Sequence, residues 1–65
     1  MKYDEFHAMI RSCGWIKLRQ NGTSHVIYYK KDRQPYPVPY HKGKEVGKRL
    51  ERKISKEMGL KHKTK

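Results

Sequence analysis

The stretch Gln20-Asn21-Gly22-Thr23-Ser24-His25 decides how this chain is read. Short runs with strand character flank it, Trp15-Ile16-Lys17-Leu18-Arg19 before and Val26-Ile27-Tyr28-Tyr29-Lys30 after. Asn-Gly between alternating segments signals a tight hairpin, because both residues accept positive φ at little cost. The hairpin sets His25 at the start of the return strand, beside a turn rich in free N–H and hydroxyl groups. A residue that must meet a phosphate is well served there.

Upstream, Phe6, Met9, Ile10 and Cys13 recur at i, i+3, i+4 and i+7, which predicts a helix from about Lys2 to Cys13. Asp4 and Glu5 in its first turn and Arg11 near its end suit the helix dipole. Gly14 supplies a left-handed ending. His7 on this helix, and His62 near the C-terminus, read as surface residues. In the first strand Ile16 and Leu18 are expected to face the core, with Lys17 and Arg19 on a cationic outer face. In the second, Val26 and Tyr28 share one face, while His25, Ile27 and Tyr29 share the other. Both faces carry apolar groups, as in a central strand, so alternation does not say which is core. Lys30-Lys31-Asp32-Arg33 is a polar turn.

Downstream comes Gln34-Pro35-Tyr36-Pro37-Val38-Pro39-Tyr40. Prolines two apart remove N–H donors from one edge of an extended chain and leave Tyr36, Val38 and Tyr40 to pair on the other. An edge strand with a blocked rim follows; a polyproline-II linker is the alternative. A second helix is expected from roughly Lys44 to Met58, with Val46, Leu50, Ile54 and Met58 as its stripe and Gly47 permitting close packing. Gly59-Leu60 ends it, and 61–65 reads as a mobile basic tail.

The chain is thus expected to be one α+β unit over residues 1–60, ordered α-β-β-β-α. A three-stranded antiparallel meander would carry both helices on one face, the shape of a double-stranded-RNA-binding domain. Shape does not transfer function.

Only 34% of the 65 residues are hydrophobic, so the core is thin and a binding partner is a natural further source of stability. The single cysteine, Cys13, reads as a reduced residue of a cytoplasmic protein. No apolar run suffices for a signal peptide or a membrane span. The net charge is +11, with seven basic and three acidic residues in 1–40 and ten and three in 41–65. Such an excess, together with tyrosines read as exposed, points to nucleic acid before anionic membrane.

No histidine pair has metal-ligand spacing, with or without Cys13, and no cofactor is expected. His25 and His41 border strand ends. An imidazole near neutrality can take the proton of a ribose 2′-hydroxyl as it attacks the adjacent phosphorus. Free N–H groups around Gly22, Thr23 and Ser24 could receive the charge of the phosphorane. Equally, His25 could simply open a strand with its ring bonded locally.

From Lys2 to Leu60 the chain resembles the HicA toxins, small mRNA interferases of HicA–HicB toxin–antitoxin pairs. The resemblance rests on Cys13-Gly14-Trp15 at the first helix end, Ile16-Lys17-Leu18-Arg19-Gln20 and Gly22-Thr23-Ser24-His25. It continues through Val38-Pro39-Tyr40-His41 to a basic helix closing on Met58-Gly59-Leu60. Many members carry glycine-threonine-leucine in the second helix, where this chain has Gly47-Lys48-Arg49-Leu50. The resemblance implies a double-stranded-RNA-binding-like fold, His25 as the catalytic residue with Gly22 in its signature, mRNA as substrate and a HicB-like antitoxin covering the site in a hetero-oligomer. By position, Lys17, Arg19 and Lys30 from the sheet and Arg49, Arg52 and Lys53 from the second helix are candidate phosphate contacts, and Tyr29 and Tyr36 candidate stacking platforms. His41 is a candidate acid partner. The rival expectations are a non-catalytic double-stranded-RNA-binding module and a basic surface for an acidic protein.

Overall fold

The computed structural model describes residues 1–21 and 24–60; Gly22 and Thr23, and 61–65 with the expected basic tail and His62, lie outside them. The elements are α1 (Tyr3–Ser12), β1 (Ile16–Asn21), β2 (His25–Tyr29), β3 (Tyr36–Pro39) and α2 (Lys48–Met58). The strands form an antiparallel sheet in the order β1-β2-β3. Val26, Tyr28 and Val38 pack in one core with Phe6 and Ile10 of α1 and Ile54 and Met58 of α2, so both helices lie on one face. The expected α-β-β-β-α architecture is the observed one. Each large apolar side chain buried here is worth roughly 1.5–3 kcal/mol, in a core small enough to feel any single loss.

Helix α1 starts where the Glu5 carboxylate accepts the Lys2 N–H at 3.0 Å and ends at Gly14, whose φ of +99° suits glycine. Its buried residues are Tyr3, Phe6, His7 and Ile10, with Met9 and Cys13 only partly covered. The core stripe is therefore rotated toward Tyr3 and His7, and His7, expected on the surface, is buried at 4% exposure.

The proline edge strand is observed. Among the described residues β3 pairs with β2 alone, His25 opposite Pro39, Val26 opposite Val38, Ile27 opposite Pro37 and Tyr28 opposite Tyr36. The Tyr40 N–H continues the ladder to the Ser24 carbonyl at 2.7 Å.

Strand β1 corrects the expected alternation. The register passes from Lys17 opposite Tyr28 to Arg19 opposite Ile27, leaving Leu18 in a bulge. Ile16, opposite Tyr29, lies on the open face, and Lys17, opposite Tyr28, on the helix side. Ile16 and Leu18 are 63% and 56% exposed instead of buried.

The second helix begins four residues later than expected. Glu45 bridges Lys2, and the Val46 N–H reaches the Met1 carbonyl at 2.8 Å. Val46 is thus buried by an extended segment crossing the start of α1, not by a helical turn. Gly47, at φ −63°, caps α2, and a Cβ there would meet nothing within 4 Å, so it serves no close packing. At the other end Gly59 turns left-handed at φ +68° and the Leu60 N–H reaches the Ser55 carbonyl at 2.8 Å. This ending matches the Gly-Leu expectation. No helix among the described residues is long and apolar enough to cross a membrane.

Candidate functional site

His25 is the first residue of β2, held between Asn21 of β1 and Pro39 of β3. Alternation along β2 turns Val26 and Tyr28 into the core and leaves His25, Ile27 and Tyr29 on the face without helices. His25 is exposed there. Its backbone is fixed from both neighbouring strands, and the Ser24 carbonyl before it is bonded to Tyr40. An exposed imidazole on a braced strand end can exchange protons with water or with a substrate hydroxyl. The face also carries Arg19, beside Ile27, and the apolar groups Ile16, Leu18 and Tyr29.

Of the residues expected to contact RNA, this face gathers His25, Arg19 and Tyr29. Lys17 lies across the sheet from them. Lys30 donates to the Cys13 carbonyl at 2.9 Å, where a cation suits the end of α1, and lies 5.9 Å from the Trp15 ring. Tyr36 faces the helix side and donates its hydroxyl to Glu57 of α2. Desolvation, then that carboxylate, pushes its phenol up to about 12. Arg49, Arg52 and Lys53 stand exposed on α2, away from His25. His41 is exposed with its ring 5.1 Å from that of Tyr3, which makes it an aromatic neighbour of α1. Gly22 and Thr23 lie outside the described residues. The tyrosines read as exposed are mostly not: Tyr3 and Tyr28 are buried, Tyr36 and Tyr40 half-buried, and Tyr29 alone is 42% exposed.

The sequence reading passed over a polar network under the sheet. His7 Nε2 lies 2.9 Å from the Pro39 carbonyl and its Nδ1 2.7 Å from the Tyr28 hydroxyl. Since a carbonyl can only accept, Nε2 carries the proton and Nδ1 accepts from Tyr28. The Tyr28 oxygen in turn accepts from Arg11 Nη1 at 3.3 Å. Burial holds the His7 pKa below the usual imidazole range, against the Pro39 bond that raises it; Arg11 and Lys17 lower it further and Asp4 raises it. Burial likewise pushes the Tyr28 phenol up, with Arg11 pulling it down. Beside the network a cleft of about 210 Å³ opens, lined by Asp4, His7 and Arg11 of α1, Lys17 and Gln20 of β1, Val26, Tyr28 and Tyr40. Reading Tyr3 and His7 as ring-bearing members of the α1 stripe is the signal that finds this network in the sequence. The His7 bond also anchors Pro39, the cross-strand partner of His25.

Compared with known proteins, residues 3–60 match the family model described as the HicA toxin of bacterial toxin–antitoxin. Neither curated proteins nor solved structures gave a match.

Proposed function

From the premise that the chain belongs to the HicA toxin family, established over residues 3–60, we propose that it is a metal-independent endoribonuclease that cleaves mRNA in the cytoplasm and so arrests translation. The observation that carries this reading is the exposed imidazole of His25 on a strand end braced from both sides. His25 takes the proton of a ribose 2′-hydroxyl, the oxygen attacks the adjacent phosphorus in line, and the P–O5′ bond breaks. The 5′-oxygen leaves with a proton taken from water, giving a 2′,3′-cyclic phosphate and a 5′-hydroxyl, and the His25 imidazolium returns its proton to solvent. Backbone N–H groups of the Gly22-Thr23-Ser24 turn are the proposed donors to the charge on the phosphorane. Arg19 is the proposed phosphate contact on the same face and Tyr29 the proposed base platform.

The family implies a cognate antitoxin. We place it, as a HicB-like protein, over the open face, where Ile16, Leu18 and Tyr29 offer apolar area around His25. End-group analysis of RNA cut by the purified chain tests the chemistry. Cyclic phosphate and 5′-hydroxyl ends are expected, and 5′-phosphate ends would overturn the mechanism. Intact RNA with binding retained would leave a non-catalytic RNA-binding module in its place.

A further inference from the structure

We infer that the cleft between α1 and β1 is a second phosphate-binding site, which grips an RNA phosphodiester from a strand passing round the β1 edge from His25. The inference rests on the chain acting on RNA. Its first support is topology. β1 is an edge strand, and the bulge at Leu18 turns Arg19 to the open face and Lys17 to the cleft side. One strand therefore carries a cation on each of its faces, Arg19 on the side of the imidazole and Lys17 on the side of the cleft.

The second support is the cleft's chemistry. Arg11 spends one Nη1 contact on the Tyr28 hydroxyl and presents the rest of its fork at an exposed position. Lys17 is exposed beside it, and its charge reaches His7. Gln20 adds an amide donor. The one carboxylate, Asp4, accepts the Tyr40 hydroxyl at 2.7 Å, so the walls sum to one net positive charge. His7, with both ring nitrogens engaged, stiffens the floor and contributes no charge in its neutral form. At about 210 Å³ the cleft is smaller than the roughly 300–1,000 Å³ usual for organic ligands and suits a single phosphate group.

The test reads binding of a 2′-O-methyl RNA oligonucleotide by fluorescence anisotropy in the His25→Ala background, across a salt series. Lys17→Gln and Arg11→Gln are each expected to weaken binding about five- to tenfold at low salt and to lower the salt slope by about one. Asp4→Asn, which keeps an acceptor for Tyr40, is expected to tighten it. Lys31→Gln, in the exposed β2–β3 turn, measures the loss of a positive charge alone. Lys17→Gln indistinguishable from Lys31→Gln would overturn the proposal; Lys17 is exposed, and matching circular dichroism and urea midpoints for the two variants keep misfolding out of that comparison. Displacement by inorganic phosphate or poly-glutamate, each at the oligonucleotide's charge concentration, would assign the cleft to free phosphate or an acidic protein and overturn the RNA source. Cleavage plays no part in this readout. An inactive parent chain would sink the nuclease reading while the Lys17 result stood, and the reverse holds equally.

Discussion

His7 Nδ1 accepts the Tyr28 hydroxyl at 2.7 Å across the α1–sheet interface, and both rings are buried. The bond closes a chain from Arg11 through Tyr28 and His7 to the Pro39 carbonyl, in which every polar group has a partner. Such a network is worth most when complete, because each deletion strands another buried group. Tyr28→Phe keeps the ring but leaves His7 Nδ1 without its donor. We expect a loss of about 1–3 kcal/mol in urea unfolding. An unchanged midpoint would show that the network is not coupled to the core.

Burial of the His7 ring also makes stability depend on pH. His7 has a folded pKa below the ordinary imidazole value, chiefly through burial. As pH falls below about 6.5 the unfolded chain binds a proton that the folded chain refuses, so stability declines toward acid until the folded pKa is passed. The Pro39 carbonyl and Asp4 favour the proton, whereas the charged groups Arg11 and Lys17 oppose it along with burial. Urea midpoints at about pH 7.5 and about pH 5.5 should therefore differ more in the parent than in His7→Gln, which has no proton to gain.

Tyr36 and Glu57 tie β3 to α2 by a hydrogen bond that needs the phenol protonated. The folded phenol sits near about 12, above its ordinary 10. Its contribution is present below pH 10 and is lost as pH rises from there toward about 12. Glu57→Gln should lower the phenol's pKa only in part, since desolvation is the larger cause. Ultraviolet titration of the parent and the variant measures the difference.

The two glycines bounding α2 should respond in opposite senses. Gly59→Ala forces a Cβ into a φ of +68° and against the tip of Arg33, and is expected to cost about 1–2 kcal/mol. Gly47→Ser, at a φ of −63° with open space around it, adds a capping hydroxyl and stiffens the unfolded chain. A gain of about 0.5–1 kcal/mol is expected. Urea midpoints of the two variants check both.

Element order was readable because proline and glycine act locally. Pro35, Pro37 and Pro39 cannot donate on one edge, so if this segment paired at all it could only do so as an edge strand, and Gly59-Leu60 ends a helix by backbone geometry alone. Side-chain facing was less readable. One bulged residue, Leu18, reverses the sense of alternation on part of β1, and no periodicity reveals a bulge in advance. Val46 fits a helical stripe, yet it is buried by a bridge to the chain's own N-terminus, a long-range contact. His7 was hidden because imidazole counts as polar in a pattern search, whereas with both nitrogens bonded it packs as a core ring. The position of His25 at the start of β2 was legible, but its separation from Lys17, Lys30 and Tyr36 depended on which faces those strands turned inward.

The central claim is that His25 performs the chemistry, and cleavage of RNA by His25→Ala beside the parent chain tests it most directly. His25 is exposed, so the substitution should leave the melting temperature essentially unchanged. The cleavage rate should fall by about 10²–10⁴-fold with RNA binding retained. A folded His25→Ala chain that cuts RNA at the parental rate would contradict the account.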